Sequence, residues 1–330
     1  MSRDFYIFNN GRLKRKDNTI YFIDCLENKR ALPIQQINSI HLFGEIDLNS
    51  KLINYLSQYG IMLNFYNYYG HYSGTYYPRK KNVSGFTLVN QAAHYNDYEK
   101  RLYIAKSFVD SAAHHILKNM RRHKEGIEDL IERIQIERNN IEKAQKIDEL
   151  MGIEGRIRKS YYKSFSKILK ILKSDFDIQK REKRPPTDPV NAMISFGNSL
   201  MYTTVLFEIY KTQLDPTISY LHEPSVKRFS LSLDISEIFK PLIVDTVIFY
   251  LVNNRVITFD DFDIDEGICY LNEEGKKKFI SEYERKLATT IKHRKLKRKV
   301  SYRTFIKLEC YKLIKHFIGD EEYKPLKAWW

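Results

Sequence analysis

Side chains suited to binding a metal ion fall within one short stretch, residues 219–241. His222 lies in a Pro-containing turn, and two carboxylates, Asp234 and Glu237, follow a basic spacer. On a helix, residues three apart lie on the same face, so both acids would share one side. Imidazole and carboxylate groups together are typical ligands of divalent cations. Because the chain carries a formal net charge of +14, the pattern indicates phosphodiester chemistry on a nucleic acid.

A further candidate ligand, Glu154, lies upstream between two glycines in residues 151–156 (MGIEGR). A glycine inside a helix costs about 1 kcal/mol relative to alanine, a cost sustained where a helix or a phosphate approaches the backbone. Tight helix packing with a solvated Glu154 is the alternative explanation. His222 alone is also compatible with an ordinary loop residue. Asp234 and Glu237 could be first-turn acids that stabilise a helix N-terminus.

The composition places limits on the class of protein. A chain of 330 residues with 43% hydrophobic and 14% aromatic residues can bury two cores and is not disordered. Cys25, Cys269 and Cys310 are far apart and lack metal-ligand spacing, so we expect reduced thiols in the cytoplasm. Residues 1–11 contain no signal-peptide core. The best apolar run, 242–252, is shorter than the ~20 residues of a membrane span, so we expect no membrane association.

Hydrophobic patterning predicts an α+β fold with two domains. Residues 1–85 contain five strand-like segments and one helix that stops at Gly60, which predicts a small β-sandwich-like domain. The strand segments are 5–8, 19–23, 37–43, 61–66 and 72–77. We interpret 86–94 as a linker. From residue 95 the period changes to that of a helix, so 95–330 is predicted to be all-helical. Because this part carries the candidate metal ligands and the basic run near the end of the sequence, we interpret it as the catalytic and DNA-binding domain.

Two charged segments near the end of the sequence allow more than one interpretation. Residues 260–267 (DDFDIDEG) resemble a calcium loop, but the glycine is misplaced and Asn272 stands where a bidentate acid is needed. A solvated turn leading into a strand at 270–271 is the favoured interpretation. Residues 292–303 are rich in Lys and Arg and contain no acid, which favours a phosphate-binding surface over a solvated helix face.

Several motifs in order resemble the CRISPR-associated adaptation endonuclease and integrase, the family that inserts new spacers into CRISPR arrays. The resemblance covers most of the helical part and only the outline of the β part. It rests on residues 150–162 (LMGIEGRIRKSYY), 184–202 (RPPTDPVNAMISFGNSLMY), 221–245 (LHEPSVKRFSLSLDISEIFKPLIVD) and 268–287 (ICYLNEEGKKKFISEYERKL).

This resemblance implies a divalent metal, Mn²⁺ or Mg²⁺, bound by Glu154, His222 and Glu237, with Asp234 in or next to the ligand shell. It implies an integrase that joins the 3′-OH ends of a prespacer to the repeat boundary by transesterification. Two alternatives stay open: a general metal-dependent nuclease on branched DNA, and a non-catalytic nucleic-acid-binding scaffold.

The resemblance also implies partners and DNA contacts. It implies a homodimer formed through the β domains, and a small ferredoxin-like CRISPR-associated partner in a larger complex with prespacer and repeat DNA. Basic residues around the metal and along the later basic run are candidates for phosphate contacts. They are Arg156, Arg158, Lys227, Arg228, Lys292, Arg294, Lys295, Lys297 and Arg298.

Overall fold

The computed structural model describes residues 3–123, 125–169, 176, 178, 181–182, 185–224 and 228–330. The chain divides into two compact units, Met1–Lys81 and Asn82–Trp330. No helix of the described part has the length and apolar content to cross a membrane.

The first unit consists of two four-stranded sheets and one helix. Its strands are β1 (Arg3–Ile7), β2 (Gly11–Lys16), β3 (Thr19–Asp24), β4 (Lys29–Pro33), β5 (Ile37–Leu42), β6 (Ile46–Asp47), β7 (Met62–Tyr66) and β8 (Tyr72–Tyr76). One sheet has the order β1-β5-β7-β8, parallel except for β8. The other has the order β4-β3-β2-β6, antiparallel except for the β2–β6 pair. All five predicted strands are confirmed, and β2, β4 and β6 were not predicted.

The helix of the first unit, α1 (Ser50–Tyr59), ends at Gly60 as its sequence predicts. The Asn49 side chain accepts a hydrogen bond from the Leu52 N–H at 3.0 Å, which caps the first turn. Gly60 ends the helix with φ of 67°, a left-handed conformation that glycine adopts at little cost. Leu52 and Leu56 are fully buried in a core shared with both sheets.

The second unit is mainly helical. Its helices are α2 (Gly85–Asn96), α3 (Tyr98–Arg121), α4 (Glu128–Asn140), α5 (Ile147–Ile168), α6 (Pro189–Tyr210), α7 (Ser230–Phe239), α8 (Thr246–Asn253), α9 (Glu273–Ala288) and α10 (Tyr302–Phe317). A π-helical segment, Lys240–Asp245, joins α7 to α8. Helix α6 is buried along almost its whole length. The Asp188 side chain caps it by accepting from the Asn191 N–H at 2.8 Å, as the Asp-Pro pair predicts.

Two details of the predicted helical domain are wrong. Residues 86–94, predicted to be a linker, lie within α2, because Ser84 caps that helix by accepting from the Thr87 N–H. A separate cap at Asp97 then starts α3. The domain is also not all-helical, since it contains the hairpins β9 (Phe262–Asp265)–β10 (Ile268–Leu271) and β11 (Thr290–Lys292)–β12 (Lys299–Ser301).

The segment that resembles a calcium loop forms the first of these hairpins, β9–β10. Glu266 and Gly267 connect β9 to β10 with φ of 48° and 80°, and positive φ at both residues is what a type I′ hairpin turn requires. The predicted turn into a strand at 270–271 is therefore confirmed.

Candidate active site

Two helices and one turn carry the predicted ligands. Glu154 lies on α5, Glu237 lies on α7 with Asp234, and His222 lies in the turn before α7. Helix α3 packs against both α5 and α7.

Asp234 fixes the turn that carries His222. Its side chain is fully buried, and its Oδ2 accepts from the backbone N–H groups of Tyr220 at 2.6 Å and Leu221 at 3.0 Å. Its Oδ1 accepts from the His222 N–H at 3.0 Å and lies 2.7 Å from His222 Nδ1. A carboxylate only accepts, so Nδ1 of a neutral His222 carries the proton and Nε2 keeps its lone pair. This is the arrangement of a histidine prepared to bind a metal through Nε2.

Residues of α2 and α3 hold the same turn from its other side. Arg101 is almost fully buried, and its guanidinium donates to the Tyr220 carbonyl at 3.0 Å and pairs with Glu223 at 2.5 Å. The Gln91 side chain accepts from the Asp215 N–H and donates to the Asp215 carbonyl, both at 2.9 Å. Gln91 and Arg101 were not predicted, because no local pattern distinguishes them from other polar residues on a helix.

Arg158 joins the two predicted glutamate ligands. It lies one turn after Glu154 on α5, and its guanidinium donates both to the Glu154 carboxylate and to the Glu237 carboxylate. Glu237 also accepts from Lys240 Nζ at 2.5 Å. Burial opposes the charged form of Arg158, but Glu154, Tyr162 and Asp245 together outweigh it and raise the pKa of the guanidinium. Arg158, which was predicted to contact phosphate, therefore neutralises two carboxylates here.

The two glycines that flank Glu154, Gly152 and Gly155, border open space. A Cβ atom added at Gly155 would meet no atom within 4 Å, and at Gly152 it would meet only the end of the Arg156 side chain at 3.4 Å. Close helix packing therefore does not explain these two glycines in the described part of the chain.

A buried polar network lies behind the carboxylates. Burial raises the pKa of Asp245 to about 6, while Arg158 acts in the opposite direction. Burial lowers the pKa of Lys240 to about 8, and the charge of Arg158 adds to that effect. The sequence analysis did not single out either residue, although an acid and a lysine within an apolar helical run are a recognisable signal.

The π-helical segment that carries Lys240 and Asp245 is supported from α3. Asn119 donates to the Pro241 carbonyl at 2.7 Å and to the Tyr161 hydroxyl at 3.0 Å. His115 Nδ1 lies 2.9 Å from the Ile238 carbonyl. Such segments often occur at functional sites.

The structure thus brings some of the predicted ligands together and not others. Glu154 and Glu237 both accept hydrogen bonds from Arg158, and the His222 ring contacts Asp234. In the described ranges, no three His, Cys, Asp or Glu side chains form a group that could hold a metal ion. The donor types suit Mn²⁺ or Mg²⁺, and a cation bound by both glutamates would compete with the Arg158 guanidinium.

The other basic candidates that the structure describes lie at the surface. Arg156 is paired with Glu137 at 2.7 Å. Arg228 is exposed, and Lys227 lies outside the described residues. Lys292, Arg294, Lys295, Lys297 and Arg298 are all exposed on the β11–β12 hairpin. Within it, Arg294 stacks on Trp329 with 4.7 Å to the ring centroid, and Lys295 pairs with Glu321 at 2.5 Å.

Comparisons with known proteins agree with one another. A family model described as CRISPR associated protein Cas1 matches residues 5–285. A CRISPR-associated endonuclease Cas1 from Clostridium perfringens is 64% identical over 330 residues, 100% of both chains. The solved Cas1 protein of Thermotoga maritima aligns with a TM-score of 0.90 and 41% identity, covering 97% of this chain and 99% of that one.

More distant solved structures share the fold alone. A casposase bound to an integration product aligns with a TM-score of 0.87 at 20% identity, covering 99% of this chain and 94% of the casposase. The fold also recurs in part of a chain of a Cas6-RT-Cas1–Cas2 complex, at 16% identity and a TM-score of 0.86, with 36% of that chain covered. It recurs as well in a TtCas1–DNA complex, at 14% identity and a TM-score of 0.59.

Proposed function

We propose, from the premise that this chain belongs to the CRISPR-associated protein Cas1 family, that it is a divalent-metal-dependent DNA endonuclease and integrase. Its reaction would join the 3′-OH ends of a prespacer to the boundary of a CRISPR repeat. The attacking 3′ oxygen forms a new phosphodiester bond as the old one breaks, and the displaced 3′ oxygen takes up a proton. One bond replaces another, so the reaction needs no nucleoside triphosphate.

The observation that carries the proposal is the fixed orientation of His222. Asp234 is fully buried and accepts from three backbone N–H groups as well as from the His222 ring. Burying a carboxylate costs solvation free energy, a cost that an ordinary loop histidine does not require. The same contacts leave Nε2 as the nitrogen for a metal.

Glu154, His222 and Glu237 are the proposed ligands of Mn²⁺ or Mg²⁺, and Asp234 positions His222. A divalent ion there would stabilise negative charge on a phosphodiester oxygen. Lys240 holds one oxygen of Glu237, and Arg158, once released from the carboxylates, can donate to a phosphate through its two parallel N–H groups. The open space at Gly155 gives a phosphate access to the backbone beside Glu154.

The partners are part of the same proposal. We expect a homodimer formed through the first unit and a small ferredoxin-like Cas partner. The exposed hairpin residues Lys292, Arg294, Lys295, Lys297 and Arg298, together with Arg156, Lys227 and Arg228, would contact phosphates without reading the base sequence. Arg294 and Lys295 would then exchange Trp329 and Glu321 for DNA.

Strand transfer into a repeat-containing plasmid tests the proposal. The chain, with the small Cas partner from the same genome, is incubated with labelled prespacer in Mn²⁺, Mg²⁺ or chelator. Joined product that requires the metal and disappears in Glu154→Gln and His222→Ala is the expected result. Glu132→Gln, an exposed glutamate on α4, is the matched control.

The same gel separates the alternatives. Hydrolysed but never joined DNA would indicate a general nuclease that acts on branched substrates, with water as the nucleophile. DNA binding without metal-dependent breakage or joining would indicate a non-catalytic scaffold and would overturn the proposal.

A further inference from the structure

Three cations gather beside a pair of aromatic rings, apart from the residues discussed so far. Lys118 lies in the last turn of α3, Arg122 directly follows that helix, and Lys286 lies near the end of α9. The rings belong to Tyr302 and Trp330, whose centroids are 5.8 Å apart. Lys286 and both rings lie outside residues 5–285, the range that the family model matches.

Ring contacts and hydrogen bonds fix the two lysines. Lys286 Nζ lies 4.8 Å from the Tyr302 centroid, and Lys118 Nζ lies 5.7 Å from the Trp330 ring. Lys118 Nζ also donates to the Ala328 carbonyl at 3.2 Å. The rings are themselves linked, because Trp330 Nε1 donates to the Tyr302 hydroxyl at 2.8 Å. Both ammonium groups are therefore held against one rigid ring pair.

No carboxylate pairs with these cations. Within the described part of the chain, none of Lys118, Arg122 and Lys286 forms an ion pair. The neighbouring Arg285, in contrast, pairs with Glu282 at 2.5 Å. Burial lowers the pKa of Lys286 to about 8, and repulsion from Arg122 adds to this effect, while Glu282, the partner of Arg285, acts in the opposite direction. Burial and Arg122 also lower the pKa of Lys118.

Like charges held together and partly removed from water are unfavourable unless an anion compensates them. We propose that Lys118, Arg122 and Lys286 bind a phosphate group of a DNA strand at a site separate from Glu154 and His222. The DNA source rests on the proposed function. Arg122 is exposed and can donate two parallel hydrogen bonds to a phosphate, while the lysines contribute point charges.

The position of the cluster on α3 suits a DNA strand that also reaches the active site. Asn119, next to Lys118, contacts the Tyr161 hydroxyl and the Pro241 carbonyl. Helix α3 thus links the cation cluster to α5 and to the π-helical segment that follows Glu237. A phosphate bound at the cluster would position DNA on the same helix that supports the active site.

The first test uses an anion alone. Thermal unfolding of the whole chain is measured in chelator, with sodium tripolyphosphate against sodium chloride at equal ionic strength. Tripolyphosphate should raise the Tm of the wild-type chain, and Arg122→Gln combined with Lys286→Gln should reduce that rise by about half or more. Arg121→Gln, an exposed arginine on the same turn of α3, should keep it. An equal rise in all three proteins, or an equal loss in Arg121→Gln, overturns the proposal.

The second test uses DNA. Affinity for a prespacer duplex is measured against salt concentration, also in chelator. The double variant should lower the slope of log affinity against log salt by about 0.9, the value for one phosphate contact, while Arg121→Gln should not change it. If tripolyphosphate stabilises the chain but the double variant leaves the salt dependence of DNA affinity unchanged, the site binds a free phosphate. That result would contradict the proposal that the phosphate belongs to DNA. Neither test depends on cutting or joining, so failure of the proposed function would be seen separately.

Discussion

Replacing Asp234 by asparagine removes a charge while it keeps the size of the side chain. In the structure its two oxygens accept from the N–H groups of Tyr220, Leu221 and His222 and from the His222 ring. An amide keeps one oxygen and replaces the other with a donor. If the oxygen keeps Tyr220 and Leu221, the new NH₂ group meets the His222 N–H and cannot bond to it.

The expected loss of stability follows from these contacts. One buried N–H without a partner costs about 1–3 kcal/mol, and the bonds that survive lose the contribution of a charged acceptor, about 1 kcal/mol each. We therefore expect Asp234→Asn to lower the free energy of unfolding by about 3–5 kcal/mol. The new NH₂ also donates to Nδ1 of His222, which moves the ring proton to Nε2.

Two measurements check this reasoning. Urea unfolding followed by circular dichroism gives the free energy, and nitrogen-15 NMR of the histidines gives the tautomer of His222. With the Nε2 lone pair lost, Mn²⁺ affinity by calorimetry should fall about 10–100-fold. Asp215→Asn is the matched control, because among the described residues the Asp215 carboxylate bonds to exposed Thr217 alone, and it should cost less than about 1 kcal/mol.

The reasoning is refuted if Asp234→Asn unfolds within about 1 kcal/mol of the wild type and His222 keeps its proton on Nδ1. Weaker metal binding without the change of tautomer would also contradict it.

Two further predictions concern the interior of the second unit. Burial lowers the pKa of His115 to about 3. Below about pH 6.5 the unfolded chain therefore binds a proton at this histidine while the folded chain does not. The free energy of unfolding should then fall by about 1.4 kcal/mol per pH unit as the pH drops towards 3. Urea unfolding at pH 7, 6 and 5 should show this decrease in the wild type and a smaller decrease in His115→Gln. The same dependence on pH in both proteins would contradict the prediction. A Cβ at Gly197 would lie 2.5 Å from Val244 Cγ1 and 2.9 Å from Phe279 Cζ, so Gly197→Ala should cost about 1–3 kcal/mol. Gly155→Ala has open space and should instead stabilise by up to about 1 kcal/mol, and a Tm shift of the same sign in both would contradict this packing argument.

Local signals predicted the parts of the fold that local interactions determine. Helix α1 with its glycine stop, the Asp-Pro start of α6 and the apolar strands β3, β5 and β7 each carry their pattern within a few neighbouring residues. Strand β2 (GRLKRK) does not, because its pairing with β3 and β6, rather than its own residue pattern, keeps so polar a segment extended. The basic run 292–303 forms a hairpin for the same reason, since β11 and β12 are defined by each other.

The candidate site divides in a similar way. Residue types and family resemblance identified Glu154, His222, Asp234 and Glu237. They did not place Arg158 between two carboxylates that lie far apart in sequence. That contact depends on how α5 and α7 pack, which no spacing within one motif encodes.

The π-helical segment between α7 and α8 makes the length of the chain at this point critical. Deleting a single residue from 242–244 would allow the segment to relax into an ordinary α-helix, at little cost in backbone hydrogen bonding. Because a π-helical turn holds about one residue more than an α-helical turn, the deletion would keep α7 and α8 in line and remove only the wide turn, whose Pro241 carbonyl accepts from Asn119. A one-residue deletion here should thus leave both helices packed but disturb this contact in the buried support of the active site, whereas deletions in the exposed hairpin 292–301 should not.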